Sequence, residues 1–145
     1  MKIQLINIKT PDGKLTIETP RAFFGLTAAD ELTVTPNADH EEYIHFADLS
    51  PRPKFYIQQR TGNIVAGIDL DHLVFANTSI TLFNSSVLEA ASQYPYYSQE
   101  SEPEEWELAA EALERALYRI DPLAVEPGTY WYEFRWSVAI GDYME

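Results

Sequence analysis

The chain has 145 residues, of which 46% are hydrophobic and 13% aromatic, so it is long and apolar enough to fold around its own core. It contains no cysteine, which excludes disulfides, thiolate zinc sites and cysteine nucleophiles. Its 23 acidic residues against 10 basic ones give a net charge of -13, which repels nucleic-acid phosphates. Such a surface attracts a basic protein partner, although simple solubility is an alternative explanation.

The ends of the chain and its apolar runs bear on location. The N-terminal residues 1–14 lack the apolar run and the small-residue cleavage site of a signal peptide. No stretch approaches the roughly 18 apolar residues of a membrane helix. We therefore expect a soluble, cytoplasmic protein that binds neither nucleic acid nor membranes.

The first half of the chain predicts mostly strands. Residues 2–9 and 14–18 alternate apolar and polar side chains around the turn sequence Thr10-Pro11-Asp12-Gly13, which predicts a β-hairpin. Residues 20–32 predict a short, weakly helical segment broken near Gly25, and the proline-rich residues 33–53 predict irregular structure. Three further strands are predicted at residues 54–59, 64–68 and 73–76, the first two joined by a turn.

Two amphipathic helices follow. The first has apolar residues at steps of three and four, namely Ile80, Phe83, Val87, Ala91 and Tyr94, and Thr78 or Ser79 can cap it. The second has Trp106, Ala110, Leu113, Leu117 and Ile120 on one face, a predicted capping box Ser101-Glu102-Pro103-Glu104, and an end at Asp121-Pro122. On this helix Trp106, Leu113 and Leu117 should be buried, while Glu107, Glu111 and Glu114 should face water.

The last segment is ambiguous in its period. Tyr130, Tyr132, Phe134, Trp136 and Val138 alternate with polar residues, which favours a strand, although the spacing of Trp131, Phe134, Val138 and Gly141 also tolerates a helix. Strands come first and long helices later, an order typical of an α+β fold. We predict one domain over residues 1–145, a mostly antiparallel sheet with helices packed on it.

The sequence offers few groups for catalysis or metal binding. His40 and His45 are five residues apart, which turns them to different faces of a helix, and Asp69-Leu70-Asp71-His72 is better explained as a polar turn between strands. Neither a Gly-x-Ser-x-Gly motif nor a Gly-rich phosphate loop occurs. We predict no enzyme activity, no cofactor and no metal.

An ordered set of motifs begins after residue 54. It comprises Thr61-Gly62-Asn63-Ile64-Val65, Val74-Phe75-Ala76-Asn77-Thr78-Ser79, Arg119-Ile120-Asp121-Pro122-Leu123-Ala124, Tyr130-Trp131 and Gly141-Asp142-Tyr143. This set resembles the SUKH superfamily, and most closely its fourth bacterial subgroup. The resemblance covers residues 55–143 and leaves the N-terminal hairpin unplaced.

The resemblance implies both structure and function. It implies that residues 131–141 are helical and that residues 77–79 form a structural joint between strand and helix. Bacterial members are immunity proteins that neutralise polymorphic toxins, and fungal relatives regulate cell-wall synthesis. Two hypotheses follow: an immunity protein that binds a basic toxin domain, such as a nuclease or deaminase, through an acidic surface, or a non-catalytic regulatory or scaffold module that binds another cellular protein.

Acidic residues are the candidates for partner binding. The first candidate, which we call the acidic segment, is residues 99–107, with Glu100, Glu102, Glu104, Glu105 and Glu107 and no basic residue. The second, the acidic turn, contains Asp39, Glu41 and Glu42. A solvated helix start is the alternative explanation of the acidic segment, because glutamates favour the positive end of a helix dipole.

Overall fold

The N-terminal part of the chain forms a two-stranded antiparallel sheet. In this computed structural model, which describes residues 3–10, 13–20, 26–49 and 52–143, β1 (Ile3–Thr10) pairs with β2 (Gly13–Pro20). The predicted hairpin is confirmed, although its turn residues Pro11 and Asp12 lie outside the described part. The backbone of β1 lies against the third strand, Leu26–Pro36, and the backbone of β2 lies against the first α-helix, Ile80–Gln93.

A second sheet of five antiparallel strands follows in chain order. Its strands are β3 (Leu26–Pro36), β4 (Glu42–Leu49), β5 (Lys54–Gln58), β6 (Ile64–Gly67) and β7 (Leu73–Asn77). Each strand pairs with its neighbours in sequence. The three strands predicted after residue 54 are confirmed, and the α+β class is correct.

Two predictions for the first half are wrong. Residues 26–32 belong to β3 rather than to a helix, and residues 33–53 include the end of β3 and all of β4. Residues 21–25, with the expected break at Gly25, lie outside the described part. The strand β4 lies between β3 and β5 and buries Tyr43, Phe46 and Ala47. Because β4 is hydrogen-bonded to a strand on each side, it can form even where its own sequence does not favour a strand.

The core lies between one face of this sheet and the helices. Phe55 of β5 points toward the helices, where its ring contacts Phe83 at 5.1 Å and Tyr130 at 5.0 Å between centroids. Because side chains alternate along a strand, Tyr56 points to the opposite face, where its ring contacts Tyr43 and His45.

Three α-helices and a short 3-10 helix make up the rest of the fold. They are α1 (Ile80–Gln93), α2 (Pro103–Ile120), the 3-10 helix Pro122–Val125 and α3 (Tyr130–Ala139). In the part of the chain that the structure describes, no helix is long and apolar enough to cross a membrane.

The predicted phase of α2 is largely confirmed. Leu113 and Leu117 are fully buried, while Trp106 is only half-buried. The helix ends at Asp121 as predicted, but the capping box is wrong. Glu102, not Ser101, precedes the first turn, and Ser101 Oγ instead accepts a hydrogen bond from the Ser98 amide at 2.9 Å. The proline at the first helical position has no amide N–H, so the helix start has one unsatisfied donor fewer.

The terminal segment is a helix, so the strand that its alternation favours is wrong and the helix implied by the SUKH resemblance is correct. Thr129 caps α3, accepting a hydrogen bond from the Tyr132 amide at 3.1 Å. Trp131, Phe134 and Val138 form the buried face of the helix. Tertiary burial of this face decides the conformation, because local period is ambiguous over ten residues.

Candidate functional site

The junction of β7 and α1 is a helix cap of ordinary geometry. Ser79 precedes the first turn and accepts a hydrogen bond from the Leu82 amide at 3.2 Å. Of the two predicted caps, Ser79 is therefore the one that is used. The neighbouring Thr78 serves another partner, because its amide and hydroxyl donate to the two carboxylate oxygens of Asp121 at 2.7 and 2.8 Å.

Behind this cap lies a network that we call the polar joint: Asn77, Thr78, Ser86, Asp121 and Trp131. The side-chain amide nitrogen of Asn77 donates to Ser86 Oγ at 3.0 Å and to Asp121 Oδ2 at 3.2 Å. The indole N–H of Trp131 donates to Asn77 Oδ1 at 2.8 Å. The joint therefore ties together the end of β7, the body of α1, the end of α2 and the start of α3.

Burial determines what the polar joint can do. Asn77, Ser86 and Trp131 are fully buried, and Asp121 is almost so. A buried polar group is costly unless it is hydrogen-bonded, and here the amide, the carboxylate and the indole are all engaged. The arrangement stabilises the packing of four elements and matches the structural role that the SUKH resemblance implies for residues 77–79.

The acidic segment lies on the surface as the sequence predicts. Glu100, Glu102, Glu104 and Glu105 are exposed, with Glu104 and Glu105 in the first turn of α2. Among the described residues none of these four carboxylates forms an ion pair. They are available to a partner, and the two in the first turn also lie at the positive end of the helix dipole.

Glu107 differs from the other glutamates of the acidic segment. Its carboxylate accepts a hydrogen bond from Arg135 of α3 at 2.6 Å, and Glu114 lies 3.7 Å from the same guanidinium. Glu107 and Glu114 face water in part, with side chains 47% and 40% exposed, and they also lie beside Arg135, whose side chain is only 14% exposed and needs carboxylates nearby. Both bind α2 to α3, and the free acidic set reduces to residues 100, 102, 104 and 105.

The acidic turn joins β3 to β4. Its backbone is held by Asn37, whose side-chain oxygen accepts hydrogen bonds from the amides of Asp39 and Glu41, both at 3.0 Å. Glu41 pairs with Arg60 at 2.8 Å, whereas Asp39 and Glu42 are exposed. The neighbouring cation makes this surface less negative than the acidic segment.

Two of the histidines each pair with an aspartate three residues away. His45 Nε2 is 2.7 Å from Asp48 Oδ1, and His72 Nδ1 is 2.8 Å from Asp69 Oδ1 in the predicted polar turn between β6 and β7. The hydrogen bond between the latter two lowers the pKa of Asp69 and raises that of His72. The described residues contain no group of three acidic or histidine side chains placed to hold a metal ion.

Tyrosines pack around α3, and one of them is hydrogen-bonded to its C-terminal end. The Tyr97 hydroxyl donates to the carbonyl of Val138 at 2.8 Å and accepts from the Tyr143 amide at 3.1 Å. Burial raises the pKa of Tyr143 to about 12, with the carboxylate of Asp142 adding to the effect, and burial also raises the pKa of Tyr130. These hydroxyls stay neutral at physiological pH and act as packing groups.

One surface feature was missed by sequence reasoning. Tyr132 and Trp136 lie one helical turn apart on the face of α3 opposite its buried residues, and Ile140, which directly follows the helix, continues this row; Trp136 and Ile140 are exposed. We call them the outer stripe. The alternation of large apolar residues was its signal, because a helix with apolar side chains on two faces imitates the period of a strand.

The sheet, the helices and the polar joint together define an α+β fold. A model of the SUKH-4 immunity protein family matches residues 8–137, so the chain belongs to the SUKH-4 immunity protein family. The matched region extends into the N-terminal hairpin, which the resemblance from sequence motifs left unplaced. No curated protein and no solved structure matches the chain.

Proposed function

We propose that this chain acts in the cytoplasm as one SUKH-like domain that binds and neutralises a polymorphic toxin domain, without chemistry of its own. The observation that carries the proposal is the match to an immunity protein family over residues 8–137. A protein of this kind works by covering its target, which agrees with a molecule in which the buried Asn77, Asp121 and Trp131 hold the packing of the fold.

The toxin domain that we propose is basic, as a nuclease or a deaminase acting on nucleic acid would be. The chain carries a net charge of -13, and four exposed glutamates of the acidic segment have no ion-pair partner among the described residues. Charge complementarity speeds association and selects partners more than it adds affinity. The acidic segment is therefore the first candidate for the steering surface, and Asp39 and Glu42 of the acidic turn are the second.

Association kinetics test this proposal. The neighbouring genes are first searched for a toxin domain. The probe is that domain carrying an inactivating substitution, and the variant is Glu100→Gln/Glu102→Gln/Glu105→Gln. We expect the variant to associate about 5–10-fold more slowly at low salt, because removing surface charges weakens electrostatic steering. At high salt the difference should vanish, since screening acts beyond about 3 Å at 1 M ionic strength.

A matched control separates local charge from net charge. Glu31, Asp71 and Glu126 are exposed and lie outside both candidate surfaces, so their triple change to the amides removes the same charge elsewhere. If this control slows association as much as the first variant, the acidic segment is not the steering surface. If the wild-type chain neither binds the toxin domain nor protects cells that express its active form, the immunity function is wrong, and a regulatory or scaffold module takes its place.

A further inference from the structure

The helix α3 carries apolar side chains on two opposite faces. Its inner face, Trp131, Phe134 and Val138, is buried against the core. Its outer stripe is also apolar, although the hydroxyl of Tyr132 and the indole N–H of Trp136 give it polar edges. Helices at a protein surface normally have a polar outer face, and helices that are apolar all round are normally covered on all sides.

Within the described residues, nothing covers the outer stripe. Trp136 is 46% exposed and Ile140 is 58% exposed, while Tyr132 is half-buried beside Trp136 with ring centroids 6.4 Å apart. A single exposed apolar residue is common on protein surfaces, but neighbouring ones on one helix face mark an interaction site more often.

The outer stripe is linked to the acidic segment through Arg135. The Arg135 guanidinium binds the carboxylate of Glu107 at 2.6 Å, and its central carbon lies 5.8 Å from the ring centroid of Trp136. Gly141, which follows Ile140, packs closely on the Trp106 ring: a Cβ added to this glycine would lie 3.0 Å from the ring. The carboxyl end of α3 therefore lies beside the amino end of α2, whose first turn carries the exposed Glu104 and Glu105.

We propose that the outer stripe is the central contact for the toxin domain, which presents an apolar side chain flanked by lysine or arginine. This inference rests on the proposed function and assigns the affinity to a defined surface. Binding energy concentrates in Trp, Tyr and Arg residues near the centre of an interface, with charges at the rim that act on association. A flanking cation would meet the exposed glutamates of the acidic segment, whereas the Trp136 ring already has the Arg135 guanidinium 5.8 Å from its centroid.

Charge also selects this occupant over a second copy of the chain. In a two-fold symmetric dimer the same patch meets itself, so two sets of the glutamates of the acidic segment would be brought to one interface. Like charges facing each other across an interface are costly, whereas a basic partner relieves that repulsion.

The test compares two isoleucines of similar exposure, 58% for Ile140 and 55% for Ile68. Ile140→Ala removes part of the outer stripe, and Ile68→Ala removes a side chain that is 55% exposed between β6 and β7. Trp136→Ala is the second variant of the stripe. With the same inactivated toxin domain as the probe, we expect Trp136→Ala to raise Kd at least about 10-fold and Ile140→Ala about 3–10-fold. The change should lie in the dissociation rate, while Ile68→Ala binds like the wild type.

Each outcome has a separate meaning. If the wild type binds and both stripe variants bind equally well, the outer stripe is not the contact and the proposed function stands. If the wild type does not bind, the proposed function itself fails. If sedimentation shows that the wild type dimerises, that Trp136→Ala makes it monomeric and that toxin affinity is unchanged, the occupant is a second copy and this inference is wrong. Thermal unfolding of each variant verifies that it is folded.

Discussion

The polar joint and the outer surface of α2 and α3 use the same residue types for different purposes. Trp131 is fully buried and donates to Asn77, whereas Trp136, on the same helix, is 46% exposed. Asp121 is buried and accepts hydrogen bonds from two residues, whereas Glu102 is exposed and has no ion-pair partner among the described residues.

Burial explains the difference between the two regions. In the joint a polar group without a partner would cost free energy of folding, so every group is matched and the region stabilises the fold. On the outer surface water satisfies the carboxylates, so they are free to meet another protein. Mutations in the joint should therefore change stability, and mutations on the outer surface should change binding.

The largest expected effect on stability comes from comparing a substitution on the buried face of α2 with one on its outer face. Leu113 is fully buried, so Leu113→Ala should lower the free energy of unfolding by about 2–5 kcal/mol through lost burial and a cavity. Glu111→Ala, on the half-buried outer side, should stay within about 0.5 kcal/mol of the wild type. Urea unfolding measures both values. An unmoved midpoint for Leu113→Ala together with a loss for Glu111→Ala would show that the helix phase is wrong.

A change of intermediate size tests the hydrogen bonds of the polar joint. Asn77→Ala leaves the buried indole N–H of Trp131 without its acceptor, which should cost about 1–3 kcal/mol. Trp131→Phe in the same background isolates that bond as a double-mutant cycle. We expect Trp131→Phe to cost less when Asn77 has already been replaced. Additive losses would mean that the bond contributes little.

The smallest of these effects concerns the cap of α1. Ser79→Ala should lower stability by about 0.5–2 kcal/mol, because the Leu82 amide loses its acceptor. Affinity for the toxin domain, measured with folded protein, should stay at the wild-type value. Ser79→Thr, which keeps the hydroxyl, is the matched control and should retain most of the stability. Wild-type stability combined with abolished protection would instead assign a functional role to the junction.

Elements with a clear local period were predictable. The face of α2 follows from apolar residues every three or four positions, and the strands β5 and β6 follow from β-forming residues around the turn that contains Gly62. The strands β3 and β4 were not predictable, because the prolines around them favour irregular structure locally. Pairing with β5, which places Ile44 opposite Ile57, holds β4 in the sheet.

The candidate site divides in the same way. Composition alone identifies the acidic segment, and four of its five glutamates are exposed as expected. Nothing in the spacing of Glu107 indicated Arg135, which is 28 residues away along the chain. The outer stripe was visible in the sequence only as an ambiguity between strand and helix.

The sequence by itself determined the charge, the α+β class, the phase of α2 and the motifs that resemble SUKH proteins, because each depends on residue type or on neighbours within a few positions. The tertiary structure alone decided that α3 is a helix, that Asp121 joins Asn77 across 44 residues, and that Trp131 is buried while Trp136 is exposed. These features depend on which surfaces become buried when elements distant in sequence pack together, and local periodicity does not predict that burial.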